Sequence, residues 1–530
     1  MMPIEMISAP ALKAILAGSE EYAFLDVREH GQYGEGHPFF CVNAPYSVIE
    51  TCVPVLVPRR DVLCILMDDG DGVADRVHAR MTQMGYSNLR VLDGGAPGWA
   101  AAGYTLFKGV NVLSKSFGEL VEHANETPSI SAEELRGMQA AGGPLVVLDG
   151  RSPKEFHKMS LPGAQSCPNA ELAYRLPELV PDDSTPVVIN CAGRTRSIIG
   201  AQSLRNLGLK NPVFALRNGT QGWRLAGLDL CHGEVAQPQP ALDAAGEALA
   251  AERAKALIRR FNLTTVSPSD LDAMRRDRTR TTSLLDVRTE EEYLRAHWRG
   301  ARHAPGGQLV QATDEFFGTR NARIVLSDDV GLRAAGTAVW LMGMGHDVFI
   351  LDADARTGSE TGPEPRPTVS LPQQIALTDL AQAVSQGARL YDASRGMSYR
   401  EAHIDGATWV TRARLSVTDA GPAPIVVIGQ STDLVFGVMQ RLTELGATDV
   451  SGCVSPPEQW RAVGYTVVAT PYIPEEADCI DFLFFVHDRH NDNLEAARQY
   501  LAWELNLLGQ LDVQERAALN PLMATESEAV

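Results

Sequence analysis

The chain repeats one residue pattern four times, and this repeat limits the folds it can adopt. Each copy has a short apolar run, then Asp, then Arg two or three residues later, then a helical turn ending in an aromatic residue. The copies are AFLDVREHGQY (23–33), VVLDGRSPKEF (146–156), SLLDVRTEEEY (283–293) and RLYDASRGMSY (389–399). A second apolar run and a helix-like stretch ending at Gly follow each copy. Strands and helices that alternate in this way predict an α/β fold, with a mostly parallel sheet flanked by helices.

The 530 residues are too many for one hydrophobic core, and four repeats of roughly 100–130 residues account for most of them. We predict domains at 1–112, 113–240, 241–358 and 359–470, followed by a C-terminal strand and helix extension at 471–530. In the extension, FLFFV (482–486) resembles a strand, and 493–509 resembles an amphipathic helix ended by Gly509. The apolar side of this helix comprises Ala497, Leu501, Leu505 and Leu508. We expect it to pack either on one of the domains or on a second copy of the chain, and the second case would give a homo-oligomer.

Charge and hydropathy exclude several classes of function. A formal net charge of −19 argues against binding to nucleic acid and to anionic membranes, because both need a basic surface. No apolar run approaches the roughly 18–20 residues that span a bilayer. The N-terminus lacks the basic start and long apolar stretch of a secretory signal. We therefore expect a cytoplasmic protein.

The eight cysteines are scattered along the chain without a C-x-x-C pair. This spacing favours neither a zinc site nor a disulfide framework, so we expect each cysteine to be free. We predict neither a metal nor a cofactor. A role as a small buried hydrophobe explains most of the cysteines, and Cys64 and Cys167 lie in apolar, strand-like surroundings. Cys191 has different neighbours.

The four second strands align without a gap when counted back from the Gly that ends each following helix. Seventeen residues before Gly85, Gly208, Gly345 and Gly446 stand Asp68, Cys191, Asp328 and Gly429. This position lies beyond the carboxyl end of a strand, where α/β folds bind ligands. Only the second repeat has a thiol there, so the other three have no thiol nucleophile at this position. We expect them to act as scaffold, as partner-binding surface or as lids.

The residues after Cys191 predict an anion-binding loop. They read A-G-R-T-R-S (192–197), and a helix is expected to follow with Ser197 as its N-cap. Backbone amides at a helix start, together with Arg194 and Arg196, favour a thiolate, so we expect a lowered pKa for Cys191. The alternative interpretation is that Cys191 ends a buried strand and that the arginines are solvated loop charges.

These motifs resemble the rhodanese family, whose domains open with D-V-R and place a catalytic Cys at the start of a six-residue loop. The resemblance covers about residues 5–108, 128–232, 264–352 and 373–468 and implies four tandem rhodanese-like domains. It also implies ping-pong transfer of sulfur from thiosulfate through a Cys191 persulfide to cyanide or a thiol. Arg194 and Arg196 would bind the sulfonate group, and the amides of Ala192, Gly193, Thr195 and Ser197 would hold the persulfide.

The loop departs from the family pattern at one place. Many family loops carry Gly third after the Cys, whereas Gly193 is second and Arg194 is third. The two arginines make mercaptopyruvate a less suitable donor.

Two other functions stay open. In a sulfur-relay or binding protein, a partner protein would load Cys191 and the degenerate domains would dock donor or acceptor proteins. Phosphatase or arsenate-reductase chemistry is disfavoured by the short loop.

Two further repeated features are predicted to be structural. Asp149 and Arg151 recur as Asp26 and Arg28 and as Asp286 and Arg288, in repeats without a nucleophile. A feature shared with inactive repeats is better explained as an ion pair or loop anchor. Three repeats also end with a Trp, and core packing explains Trp99, Trp223 and Trp460.

Overall fold

The computed structural model describes residues 4–490 and 493–521, which form two compact units. The first unit contains the first and fourth repeats, within residues 4–110 and 366–484, together with 317–319. The second unit contains the second and third repeats, within 111–316 and 320–365, and the described residues from 485 onward.

The first repeat forms a five-stranded parallel sheet between two layers of helices. Its elements are β1 (Met6–Ile7), α1 (Ala9–Leu16), β2 (Tyr22–Asp26), α2 (His30–Glu35), β3 (Val42–Asn43), α3 (Ile49–Leu56), β4 (Leu63–Met67), α4 (Val73–Gln83), β5 (Leu89–Leu92) and α5 (Gly95–Ala101). The strand order is β1-β5-β4-β2-β3. Side chains of β2 alternate between the two faces, so Ala23 and Leu25 pack with α3 and α4, whereas Tyr22 and Phe24 pack with α1 and α5.

The second repeat has the same sheet and is preceded by a long helix. Its elements are α6 (Val112–Asn125), β6 (Ser129–Ile130), α7 (Ala132–Ala141), β7 (Val146–Asp149), α8 (Pro153–Lys158), β8 (Gln165–Ser166), α9 (Asn169–Leu179), β9 (Val187–Asn190), α10 (Thr195–Asn206), β10 (Val213–Leu216) and α11 (Gly219–Leu225). The strand order β6-β10-β9-β7-β8 matches that of the first repeat, and all its pairs are parallel. Strand β9, which precedes Cys191, is therefore central and buried.

The third repeat preserves this order as β11-β15-β14-β12-β13. Its elements are α12 (Ala244–Arg260), β11 (Thr264–Val266), α13 (Pro268–Arg276), β12 (Thr282–Asp286), α14 (Glu290–Arg295), β13 (Arg302–His303), α15 (Gly306–Gln311), β14 (Arg323–Ser327), α16 (Leu332–Gly343) and β15 (Asp347–Leu351).

The fourth repeat keeps the same core with a shortened edge. Its elements are α17 (Leu380–Ser385), β16 (Arg389–Asp392), α18 (Gly396–Glu401), β17 (His403–Ile404), β18 (Thr408–Trp409), α19 (Val417–Ala420), β19 (Ile425–Gly429), α20 (Thr432–Glu444), β20 (Val450–Val454), α21 (Pro457–Ala462) and β21 (Val467–Val468). Its parallel sheet has the order β18-β16-β19-β20, and a single parallel bridge between Gln374 and Gly452 replaces the outer edge strand. A small antiparallel pair, β17 with β21, lies beside it.

The predicted fold class is confirmed. The four predicted second strands are β4, β9, β14 and β19, and each lies in the middle of its sheet. The three predicted core tryptophans are buried. The exact domain boundaries stay a prediction. Within the described residues, no helix combines the length and apolar character needed to cross a membrane.

The C-terminal extension differs from its prediction in two respects. Its described elements are the helices α22 (Phe484–His487), α23 (Leu494–Leu505), α24 (Leu507–Gln510) and α25 (Val513–Ala517). The expected strand at 482–486 is wrong, since this run overlaps α22. The amphipathic helix ends at Leu505, not at Gly509, and the predicted apolar side is wrong at Leu505, which is exposed. Residues 491–492 and 522–530 of the predicted extension lie outside the described residues.

An Asp–Arg ion pair anchors the end of the first repeated strand in three repeats. In the second repeat, Arg151 donates to Asp149 from Nε at 2.9 Å and from Nη2 at 2.7 Å, and both side chains are buried. Arg151 also donates to the Met159 carbonyl, and Asn190 donates to Asp149 at 2.8 Å. The predicted structural role of this pair is confirmed. In the fourth repeat Ser394 stands in the place of the Arg, and its backbone N–H donates to Asp392.

Asp149→Ala should destabilise the second unit by about 3–5 kcal/mol, because it leaves the guanidinium of Arg151 buried without its charge partner. Hydrogen exchange of β7 and β9 in urea should show opening at lower denaturant concentration. The matched control is Asp183→Ala, whose carboxylate pairs with Lys210 on the surface and should leave the exchange unchanged. Equal effects of the two substitutions would contradict the anchoring role.

Candidate active site around Cys191

Cys191 directly follows β9 and precedes the first turn of α10. The helix begins at Thr195 with Arg194 as its N-cap, so Ser197 lies in the first turn and the prediction that Ser197 is the N-cap is wrong. The loop reverses tightly against the start of α11. There, a Cβ atom on Gly219, which has φ +52°, would lie 2.2 Å from the carbonyl oxygen of Cys191. Only glycine fits such a close approach.

The thiol of Cys191 is buried, with 2% of the residue exposed. Its Sγ donates to Oγ of Ser197 at 3.6 Å, and that hydroxyl donates in turn to the Arg194 carbonyl at 2.7 Å. Ser197 therefore links the Cys191 sulfur to the backbone carbonyl of Arg194.

The predicted lowering of the Cys191 pKa is wrong. Burial raises the pKa of this thiol, and the charge of Arg196 together with hydrogen bonds from Ser197 offsets only part of that rise. The carboxylate of Glu504 raises the pKa further. The sequence prediction counted the nearby positive groups, but it had no measure of the desolvation of the sulfur or of a carboxylate brought from 313 residues later in the chain.

Both predicted sulfonate-binding arginines lie in the site, and both are paired with carboxylates. Arg194 donates to Glu119 of α6 through Nε at 2.6 Å and Nη2 at 2.9 Å, and Nη2 also contacts Glu122. Arg196 makes a bidentate pair with Glu155 of α8, at 2.7 and 2.8 Å. The alternative interpretation that these arginines are solvated loop charges is thus wrong, and carboxylates oppose the positive charge expected beside the sulfur.

The pKa values of the two partner carboxyls differ because their surroundings differ. Burial raises the pKa of Glu119 to about 7, even though Arg194 opposes this effect. Burial also acts on Glu155, but Arg196 and the Ser152 hydroxyl outweigh it and lower its pKa to about 2. Arg196 therefore has a permanently ionised partner at neutral pH, whereas the charge of Glu119 depends on conditions near neutrality.

The sequence interpretation missed these acidic residues. Glu155 had a detectable signal, because S-P-K-E (152–155) is a capping box, and the structure shows Ser152 and Glu155 capping α8 reciprocally. Glu119 and Glu504 had none. They lie on α6 and α23, outside the repeated pattern, and only the fold brings them to the loop.

The equivalent positions in the first and third repeats are occupied by carboxylates. In the first, Asp68 is buried, and its carboxylate accepts from the backbone N–H groups of Gly70 and Ala74, both at 2.9 Å. In the third, Asp328 accepts from the N–H groups of Gly331, Arg333 and Ala334. Each carboxylate therefore fills a ring of amides at the start of its helix.

The fourth repeat fills the same position with apolar atoms. A Cβ atom on Gly429 would lie 2.9 Å from Cγ2 of Val435, so the Val435 side chain takes the space. Among the four equivalent positions, a thiol occurs at Cys191 alone.

A family model described as the rhodanese-like domain matches residues 8–102, 131–226 and 267–355. These ranges are the first three repeats. Together they make up more than half of the chain. The chain belongs to the rhodanese family.

A solved structure supports the full four-repeat architecture. The chain is 39% identical to a crystal structure of a thiosulfate sulfurtransferase from Pseudomonas aeruginosa, with a TM-score of 0.91. The match covers 98% of this chain and 100% of that one, so it includes the fourth repeat, which the family model does not match. The recognition of four tandem rhodanese-like domains is confirmed.

A curated Mycobacterium tuberculosis protein, named "Putative thiosulfate sulfurtransferase SseB", is 30% identical over 99 residues, in each of two strains. The match covers 18% of this chain and 34% of the relative, so the chain spans about a third of the length of the curated relatives that it matches.

The buried, protonated thiol leads to a prediction about pH. Alkylation of Cys191 by iodoacetamide should be slower at pH 7 than that of a free cysteine, and it should still rise above pH ~8.5, the usual thiol pKa. The reason is that only the thiolate reacts, and the raised pKa delays its formation. Peptide mass spectrometry after timed labelling measures the rate at Cys191. A plateau reached by pH 7 would contradict this account of the thiol.

Proposed function

We propose that the protein is a thiosulfate sulfurtransferase that carries sulfane sulfur on Cys191. The observation that carries the proposal is the occupant of the repeated loop. The first and third repeats hold a carboxylate on helix-start amides where the second repeat holds a thiol. A loop shape that holds a carboxylate also suits the terminal anion of a persulfide. The P. aeruginosa protein, whose full length matches this chain, is named for that activity.

The reaction begins once the thiol of Cys191 has lost its proton. The Cys191 thiolate attacks the outer sulfur of thiosulfate, the S–S bond of thiosulfate breaks, and sulfite leaves with the electron pair. A Cys191 persulfide anion remains. Cyanide or the thiolate of a small molecule or protein then attacks the outer sulfur, and the Cys191 thiolate is released. No net oxidation occurs over the cycle, so no redox cofactor is needed.

The residues of the loop have distinct roles in this proposal. The backbone amides of Ala192, Gly193, Thr195 and Ser197 hold the persulfide anion. Arg194 and Arg196 bind the sulfonate group of the donor. Each guanidinium already has a carboxylate partner, so donor binding involves exchange or sharing of these ion pairs. The charge of Arg196 also acts on the Cys191 pKa and lowers it.

Cys191→Ser should abolish thiocyanate formation from thiosulfate and cyanide, because a hydroxyl cannot accept sulfane sulfur. The matched control is Cys231→Ser, a partly buried thiol of the same repeat, which should keep the activity of the unmodified protein. Incubation with thiosulfate alone should add about 32 Da, one sulfur atom, to the peptide that contains Cys191.

Two results would overturn the proposal. One is thiocyanate formation at an unchanged rate in Cys191→Ser. The other is the absence of the sulfur adduct after thiosulfate alone, with an adduct forming only from a persulfidated protein; this outcome would indicate a sulfur-relay protein.

A further inference from the structure

The helix α23, from the C-terminal extension, packs against the second repeat within the second unit. Ala497, Tyr500 and Leu501 of this helix are buried. Lys115 of α6 lies 5.1 Å from the ring centroid of Trp503 and 5.7 Å from that of Tyr500. These apolar and cation–π contacts hold the helix on α6, beside the loop that follows Cys191.

This packing brings Glu504 onto the loop. The side chain of Glu504 is buried, with 2% of the residue exposed, and its Oε1 accepts from the Thr195 hydroxyl at 3.0 Å. Its Oε2 lies 3.0 Å from the place where a Cβ atom on Gly193 would stand. The carboxylate therefore covers the Gly193–Thr195 side of the loop.

One oxygen of this carboxylate has no protein partner. Within the described residues, Oε2 of Glu504 is buried and accepts no hydrogen bond. A buried carboxylate oxygen without a donor costs free energy, and fully packed structural carboxylates seldom leave one in this state. Asp68 and Asp328, at the equivalent loops, have both oxygens satisfied by backbone amides. Glu504 is thus an incompletely paired anion beside an anion-binding loop.

The other charged side chains around the loop add to its negative charge. Two guanidinium groups, of Arg194 and Arg196, face the carboxylates of Glu119, Glu122 and Glu155. Glu504 adds a fourth carboxylate; within the described residues it makes no ion pair with either guanidinium, although its charge acts on Arg194. Its charge acts unfavourably on both the Cys191 thiolate and Glu119. An incoming dianion would meet the same repulsion.

We propose that Glu504 is a specificity-determining residue, an internal carboxylate that competes with anionic sulfur donors for the Gly193–Thr195 side of the Cys191 loop. The assignment rests on the proposed function of Cys191. In the first and third repeats an Asp of the repeat itself fills the loop permanently. In the second repeat, the carboxylate is that of Glu504 from the C-terminal extension, and it lies beside the loop that follows the Cys191 thiol without replacing the thiol.

Glu504→Gln tests the competition in the full-length protein. The amide keeps an acceptor for Thr195 and a nearly unchanged shape, but it removes the charge. The KM for thiosulfate should fall on the order of tenfold, as expected for removing a like charge within several Å at intermediate dielectric constant, with a smaller change in kcat. The matched control is Glu495→Gln, an exposed residue at the start of the same helix, which should leave KM unchanged.

A second measurement does not depend on sulfur transfer. Iodoacetate and iodoacetamide both alkylate a thiolate: sulfur attacks the CH₂ carbon and iodide leaves with the electron pair. The two reagents differ in charge. Removing Glu504 raises the thiolate fraction equally for both, so only the ratio of their rates at Cys191 reports repulsion of an incoming anion. The ratio of iodoacetate to iodoacetamide rate should rise several-fold in Glu504→Gln and stay unchanged in Glu495→Gln.

The outcomes separate this inference from the proposed function. A ratio unchanged in Glu504→Gln overturns the role of Glu504, even if thiocyanate is formed. A raised ratio without thiocyanate formation supports Glu504 as the charge barrier and overturns the transferase assignment. If Glu504→Gln folds poorly by circular dichroism, Glu504→Ala replaces it and should raise the same ratio; an unchanged ratio there also overturns the proposal. Absence of labelling at Cys191 in every variant overturns it as well.

Discussion

Backbone amides at the start of a helix need an acceptor, and the position that faces them is filled differently in the four copies of the fold. In each repeat a buried central strand delivers one residue to the start of a helix. Asp68 and Asp328 meet the requirement with their own carboxylates. Val435 occupies the place with methyl groups beside Gly429. Cys191 supplies a sulfur atom, a weaker acceptor while protonated and a strong one as an anion. The chemistry proposed for the second repeat follows from this difference.

The charge balance of the second repeat is unlike that expected for a site that binds a dianion. Arg194 and Arg196 are present, but each is engaged by acidic residues from α6 or α8. The sulfur is buried and protonated, and its pKa is raised by burial. Such a thiol is protected from adventitious oxidation and alkylation, since both reactions need a thiolate that is accessible. Reactivity then depends on whether an incoming donor can rearrange the surrounding ion pairs.

The C-terminal extension contributes to the surroundings of the Cys191 loop. Helix α23 packs by aromatic and cation–π contacts on α6, and α6 itself precedes the repeated pattern. Both helices contribute carboxylates to the loop after Cys191. The second repeat is therefore distinguished from the other three by its thiol, which acidic residues from outside the repeat approach. Additions around a duplicated fold can in this way specialise one copy.

Much of the fold and the position of the site were determined by the sequence. The repeat with its strand periodicity predicted four parallel sheets, the aligned second strands located Cys191, and the recurrence of Asp149 and Arg151 predicted a structural ion pair. These features are local or repeated, so they can be recognised from the amino-acid sequence alone. The tertiary structure alone decided the burial of Cys191, the direction of its pKa shift, the pairing of both arginines and the arrival of Glu504. Each of these depends on residues far apart in the chain, and electrostatic energy at a buried atom depends on distance and solvent exposure, which no linear pattern contains.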